Sequence, residues 1–133
     1  MRYMGIDYGG KRVGVAISDE DLKLAFPLEV LENSPELISE LKELSNINNI
    51  GMIVVGESKD FSGQDNKIME EIRPFVQKLT DELRLEVESH PEFMTSQAAE
   101  RFQGKNEMHD ASAAALILQS YLDTKNNKEK NGN

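Results

Sequence analysis

The first quarter of the chain contains short apolar runs separated by polar and turn-forming residues, a pattern typical of β-strands. The pattern predicts three strands, over Arg2–Asp7, Arg12–Ser18 and Leu24–Leu31. Gly9 and Gly10 are turn residues between the first two strands and favour a hairpin. Pro27 has no backbone N–H to donate, so it predicts an edge position or a bulge in the third strand. The opening strands are therefore expected to be antiparallel.

The middle of the chain changes to a helical period. Ser34-Pro35 predicts the start of an amphipathic helix, because serine caps helices and proline favours their first position. The continuous apolar run over residues 50–56 then predicts a strand buried on both faces. A second helix is predicted from Asp65 and is expected to kink at Pro74. Alternation over residues 83–88 predicts a fifth strand.

The last part of the sequence predicts two more helices. Thr95 can cap a short helix that ends near Gly104, and residues 110–123 form a longer helix with one face of small residues. The resulting order, β-β-β-α-β-α-β-α-α, predicts an α/β fold with a mixed five-stranded sheet flanked by helices. We expect residues 1–123 to form one domain and the polar residues 124–133 to form a flexible tail.

Composition narrows the class of protein. With 38% hydrophobic and 29% charged residues, the 133-residue chain has the profile of a globular domain. It has no cysteine, which excludes a disulfide framework and a cysteine-based zinc site. No apolar run approaches the roughly 20 residues of a membrane span, and the first residues do not resemble a signal peptide. We therefore expect a cytoplasmic protein with no membrane partner.

The net charge of −9 argues against simple nucleic-acid binding, since free nucleic-acid binders are usually basic. The last ten residues contain three lysines and one glutamate, so residues 1–123 are more acidic than the whole chain. A function on nucleic acid then requires cations, either bound metal ions or locally placed basic side chains, to meet the phosphates.

Three carboxylates stand at or near the ends of predicted elements: Asp7, Glu92 and Asp110. Strand ends gather at one edge of an open α/β sheet, and the last helix can bring its first turn to the same edge. Carboxylates crowded together repel unless a cation neutralises them, and Mg²⁺ or Mn²⁺ suits oxygen ligands. Two such ions can support phosphodiester hydrolysis. Each acid also has a purely structural explanation, as a turn former, a solvated loop acid or a first-turn helix acid.

Other residues near these acids are further candidates. Glu57 follows the buried apolar run and is a possible fourth metal ligand. Lys11 and Arg12, close to Asp7, can contact phosphates or simply solvate the hairpin. The chain's two histidines, at 90 and 109, are candidates for acid, base or ligand roles, with polar surface as the alternative.

The opening segment MGIDYGGKRVGVAISD (residues 4–19) and the closing segment HDASAAALILQSYLD (residues 109–123) resemble the YqgF (RuvX) group of bacterial ribonuclease H-like nucleases. The resemblance covers residues 1 to about 123. It implies that Asp7, Glu92 and Asp110 are the catalytic metal ligands. The family's middle motif, Asp-Glu-Arg-hydrophobic-Thr-Thr, aligns with residues 91–96, where Pro91 and Phe93 replace the first acid and the arginine. The family's Gly-Leu-Pro aligns with residues 56–58, where Glu57 is an additional acid.

The resemblance implies a ribonuclease H-like fold and a nuclease that uses Mg²⁺ or Mn²⁺, with two ions expected. It also implies a role in processing the 5′ end of pre-16S ribosomal RNA. Three alternatives remain open: a Holliday junction resolvase, a catalytically weak nucleic-acid-binding module of the same fold, and a phosphate-binding domain of the actin-like ATPase kind. A resolvase acting on symmetric strands would be a dimer, whereas RNA trimming needs only a monomer, so both states stay open.

Overall fold

A computed structural model describes residues 1–59, 69–93 and 109–131. Within these residues the chain forms five strands and three helices. The strands are β1 (Arg2–Asp7), β2 (Arg12–Ser18), β3 (Ala25–Glu32), β4 (Ile50–Lys59) and β5 (Glu86–Phe93). The helices are α1 (Leu37–Ile47), α2 (Met69–Leu83) and α3 (His109–Asn131). None of these helices combines the length and the apolar character needed to span a bilayer.

The strands form one sheet in the order β3-β2-β1-β4-β5. β1 pairs antiparallel with β2, which pairs antiparallel with β3. On its other side β1 pairs parallel with β4, which pairs parallel with β5. The predicted mixed sheet with three antiparallel opening strands is confirmed. Because β1, β4 and β5 run in the same direction, their carboxyl ends meet at one edge of the sheet.

Pro27 has both features that the sequence predicts for it. It lies in β3, at the edge of the sheet. Val15 of β2 pairs with Glu29 and Ala16 pairs with Pro27, so Leu28 is an extra residue in the ladder. This is a β-bulge, and it accommodates a residue that cannot donate to the neighbouring strand.

Helices cover both faces of the sheet. On one face, alternate residues of the strands pack against α1 and α2. The buried residues of this cluster include Met4, Ile6, Ile53 and Val55 from the strands and Leu41 and Leu79 from the helices. On the other face, Tyr3, Met52 and Val54 pack against α3, which contributes Ala114, Leu118 and Leu122. The alternation places successive residues of each strand on opposite faces, and it therefore assigns a face to every residue at the carboxyl edge.

The fifth strand begins later than predicted. Leu83 ends α2 instead of starting β5, and Arg84 takes a positive φ of 56° and donates its backbone N–H to the Thr80 carbonyl. This left-handed residue closes the helix. β5 then continues to Phe93, because its pairing with β4 extends to the end of both strands. Pro91 is tolerated there because β5 is the second edge of the sheet.

The last helix is longer than predicted and continues past Asp123 to Asn131. Polar contacts support the extension: Lys125 Nζ donates to the Tyr3 hydroxyl at 2.7 Å, and Asn126 Nδ2 donates to the Leu22 carbonyl at 3.3 Å. An apolar period cannot reveal contacts of this kind. The division of the chain at residue 123 stays a prediction. The predicted cap at Asp65 and the short helix after Thr95 lie outside the described residues.

Candidate active site

Asp7 is the last residue of the central strand β1. Tyr3 faces α3, so alternation places Gly5 and then Asp7 on the same face. Asp7 pairs with Gly14 on β2, and on its other side Ile6 pairs with Val55, which Gly56 follows in β4. The half-buried carboxylate therefore stands between two strand positions that carry no side chain. The absence of a side chain at Gly56 lets α3 approach the sheet, since a Cβ added there would lie 2.5 Å from Ile117 Cδ1.

Helix α3 runs antiparallel to β1 and brings its first turn to Asp7. The Tyr3 ring lies 6.3 Å from the Tyr121 ring, whereas a Cβ added at Gly5 would lie 2.7 Å from Leu118 Cβ and 2.8 Å from the Ala114 carbonyl oxygen. Two strand residues and four helical residues both span about 6 Å. Asp7 is two residues beyond Gly5 in β1, so it lies opposite helix residues about four positions before those that face Gly5. These residues are at the start of α3, where Asp110 is the second residue.

Glu92 lies within β5 rather than in the predicted loop, and it pairs with Ser58 of β4 near the carboxyl edge. Two earlier residues of β5 contact α3: Glu88 accepts a hydrogen bond from the Tyr121 hydroxyl at 2.6 Å, and His90 Nε2 lies 3.0 Å from Ser120 Oγ. Glu92 is the next position in this alternation. The backbone thus brings the positions of Asp7, Glu92 and Asp110 to one edge, while the side chains of Glu92 and Asp110 lie outside the described part of the structure.

Glu57 also differs from the prediction, since it lies inside β4 and not in the loop that follows. Ile53 and Val55 belong to the core beneath α1 and α2, so the alternation places half-buried Glu57 on that face, opposite to Asp7. It stands at the same edge of the sheet as the other acids. Its role as an additional metal ligand stays a prediction.

His90 is held between the sheet and α3. Besides its contact with Ser120, its ring meets the Tyr121 ring edge-on at 5.8 Å between centroids. Burial lowers the pKa of His90, and the negative charge of Glu57 opposes that shift. These contacts connect β5 to α3 two residues before Glu92. His109 is the first residue of α3, and its side chain lies outside the described ones.

Lys11 and Arg12 are both exposed; Lys11 ends the loop that follows Asp7, and Arg12 begins β2. The loop is held by Asn33, a residue that sequence reasoning missed. Asn33 Nδ2 donates to the Gly9 carbonyl at 2.8 Å, and its backbone N–H donates to the Lys11 carbonyl at 2.9 Å. An asparagine directly after β3 is only a weak turn signal, so the sequence gives no reason to connect it with the first hairpin.

The residues at this edge suit a divalent cation. Asp7 supplies a half-buried carboxylate beside two glycines, and the other two acids share its edge, which is a donor set of the kind that Mg²⁺ and Mn²⁺ prefer. Among the side chains that the structure describes, no group of three or more potential ligands is found. Two of the three predicted ligands are not among those side chains.

The sheet order and the helices on both faces are those of the ribonuclease H-like fold, a class of α/β proteins. The structure of Thermus thermophilus RuvC matches with a TM-score of 0.63, covering 96% of this chain and 97% of that chain at 15% identity. T. thermophilus RuvC in complex with Holliday junction substrate matches with a TM-score of 0.61 at 18% identity, covering 96% of each chain. The predicted fold is thereby confirmed.

Sequence comparison defines the family within this class. Residues 1–124 match the RuvX family, which is described as "Holliday junction resolvase". A relative from Maridesulfovibrio salexigens is 34% identical over 134 residues, covering 92% of this chain and 98% of the relative. One from Thermoanaerobacter pseudethanolicus is 32% identical over 139 residues, covering 96% and 100%. Both are named "Putative pre-16S rRNA nuclease". The chain belongs to the RuvX family, as the motif resemblance indicates.

Proposed function

We propose that this protein is a divalent-metal-dependent nuclease that hydrolyses phosphodiester bonds and processes the 5′ end of pre-16S ribosomal RNA. The observation that carries the proposal is the position of Asp7, which ends the central strand on the α3 face, at the edge where β5 and the first turn of α3 also arrive. The family and the names of the relatives support nuclease chemistry and an RNA substrate. A cytoplasmic location belongs to the same proposal.

In this proposal Asp7, Glu92 and Asp110 are the metal ligands, with Glu57 as a further candidate. Bound Mg²⁺ or Mn²⁺, as a pair of ions, would supply an activated water and stabilise the leaving oxygen of the cleaved bond. The protein's own contribution is to fix the carboxylates. β1 is central in the sheet and paired on both sides, so Asp7 extends from one of the most constrained strands of the fold.

The experiment compares Asp7→Asn with Asp21→Asn on labelled ribosomal RNA precursor, with Mg²⁺, Mn²⁺ or a chelator. Asp7→Asn keeps the size of the side chain and removes its charge. Asp21 is an exposed acid in the turn between β2 and β3, at the opposite end of β2 from Gly14, which pairs with Asp7, and it is the matched control. We expect Asp7→Asn to lower the cleavage rate at least about 100-fold, since even residues behind metal ligands often cost 10- to 100-fold. Unchanged cleavage by Asp7→Asn would falsify the ligand assignment.

A Holliday junction resolvase is the second candidate, because the family is described by that activity and the RuvC structures share the fold. A four-way DNA junction assayed beside the RNA distinguishes the two. Cleavage of junctions with intact RNA favours the resolvase, and a dimer in solution would agree with it. Binding of either substrate without metal-dependent cleavage favours a binding module, for which the replacements at Pro91 and Phe93 are the motivating feature.

A further inference from the structure

The loop after Asp7 consists of residues 8–11, which we call the glycine loop, and it is fixed in place from outside the hairpin. Asn33 follows β3 and reaches back to this loop with two donors, its side-chain amide to the Gly9 carbonyl and its backbone N–H to the Lys11 carbonyl. The two accepting carbonyls are two residues apart. A single residue therefore contacts the glycine loop at two points, one through its side chain and one through its backbone.

The glycine loop is tight on one side and open on the other. A Cβ at Gly9 would lie 2.5 Å from the carbonyl oxygen of Arg12, so the backbone there is packed against its own hairpin. A Cβ at Gly10 would meet nothing within 4 Å, and Gly10 and Lys11 are exposed. The loop thus presents its backbone and the Lys11 ammonium to solvent at the carboxyl edge of the sheet.

The glycine loop lies close to Asp7, at the carboxyl edge of the sheet. Four chain steps separate Asp7 from Lys11, which limits their Cα atoms to about 13 Å, and the hairpin fold brings them closer. One nucleic-acid strand can therefore contact both. The chain has a net charge of −9 and therefore repels the phosphates of RNA. The Lys11 ammonium offsets this repulsion at the edge of the sheet where Asp7 lies.

We propose that Asn33 is a positioning residue that holds the glycine loop so that Lys11 contacts an RNA phosphate next to Asp7. The inference rests on the proposed nuclease function and goes beyond it by identifying the glycine loop as the segment that positions the RNA strand. Because the loop is held before RNA arrives, less conformational entropy is lost on binding. Asn33 acts on substrate affinity and leaves the chemical step unchanged.

The test is Asn33→Ala, with Asn48→Ala as the matched control. Asn48 is also half-buried and also donates its side-chain amide to a backbone carbonyl, that of Leu44 at 2.9 Å, but at the carboxyl end of α1. We expect Asn33→Ala to raise KM for the RNA precursor about three- to tenfold, the effect of losing roughly one hydrogen bond, with kcat within about twofold of wild type. Asn48→Ala should leave both constants unchanged.

Two further measurements separate positioning from general destabilisation. In an Asp7→Asn background, where RNA binds without being cleaved, Lys11→Ala should weaken binding and reduce the salt dependence by close to one phosphate contact. Adding Asn33→Ala to Lys11→Ala should weaken binding no further. Backbone NMR relaxation of the free proteins should show larger motions in the glycine loop of Asn33→Ala, at a temperature where circular dichroism shows the variant folded.

The outcomes are distinguishable. If wild type cleaves RNA and Asn33→Ala has the KM of Asn48→Ala, the inference is wrong and the proposed function stands. A loss of kcat at unchanged KM also overturns the inference, because the loop would then act on the chemistry. If wild type neither binds nor cleaves RNA, both the proposed function and the inference fail.

Discussion

The close approach of α3 to β1 allows a quantitative prediction at Gly5. Replacing Gly5 with alanine adds a Cβ 2.7 Å from Leu118 Cβ and 2.8 Å from the Ala114 carbonyl oxygen, and ordinary contacts begin near 3.4 Å. The helix must therefore move away from the strand by about 0.7 Å. Both neighbouring atoms belong to the helix backbone or are attached directly to it, so no side-chain rotation can relieve the contact.

We estimate the cost of this substitution from overpacking. Such insertions cost about 1–3 kcal/mol, and we take the upper part of this range because the backbone must move; the alanine regains about 0.5 kcal/mol because it restricts the unfolded chain. The free energy of unfolding should thus fall by about 2 kcal/mol, which for a domain of this size lowers Tm by roughly 6–10 °C. Cleavage should also slow, because the same displacement separates Asp7 from the first turn of α3.

Thermal unfolding followed by circular dichroism measures the effect, and Gly10→Ala is the control, since a Cβ there meets nothing within 4 Å. Its Tm should stay within about 2 °C of wild type. Trimming Leu118 to alanine should not rescue Gly5→Ala, because the atom in contact is the Cβ, which alanine retains. A Tm for Gly5→Ala equal to that of wild type, or full rescue by Leu118→Ala, would refute the packing argument.

Two smaller predictions concern the turn between β2 and β3. Gln119→Ala removes the Oε1 that accepts from the half-buried Ala25 N–H at 2.9 Å, and it should cost about 1–3 kcal/mol by denaturant unfolding. Gln77→Ala, on the exposed face of α2, should change stability by less than about 0.5 kcal/mol; equal losses would contradict the assignment. Hydrogen bonds from the backbone N–H groups of residues 23 and 24 lower the pKa of Asp19. Its contribution to stability is therefore present above its ordinary pKa near 3.8 and lost as pH falls through the lowered value. Asp19→Asn should be less stable than wild type at neutral pH and converge with it in acid, whereas Asp21→Asn should show no such pH-dependent difference.

The sequence predicts most of this fold because its strong signals are local. The short apolar runs of β1 and β2, the two glycines between them and Pro27 in β3 are each readable within a few residues, and the structure agrees with all of them. The residue at which a strand ends depends on pairing with a strand that is distant in the sequence. β4 and β5 extend each other by pairing, so Glu57 and Glu92 lie in strands where the sequence suggests loops. Position relative to a partner strand, and not propensity, determines these ends.

In the candidate site too, local sequence predicts some features, whereas others depend on how the strands pair. Asp7 and the two distant acids could be selected from the sequence because carboxylates near element ends are recognisable, and the topology brings their positions to one edge. The side of the sheet on which each lies depends on strand register, which no single segment specifies. For that reason the sequence does not show that the Glu57 position lies on the face opposite to Asp7, or that Asn33 holds the loop after Asp7.

The central position of β1 has a consequence for the order in which the chain assembles during synthesis. β1 is made first and can pair at once with β2, yet its other edge stays open until β4 has been synthesised, roughly 40 residues later, which takes about 2–8 s at typical translation rates. Until then the nascent chain carries an apolar strand with unpaired N–H and C=O groups, a surface prone to aggregation. An amino-terminal fragment that stops before Asp110 lacks one of the three proposed ligands, so we expect such a product to be inactive as well as prone to aggregation.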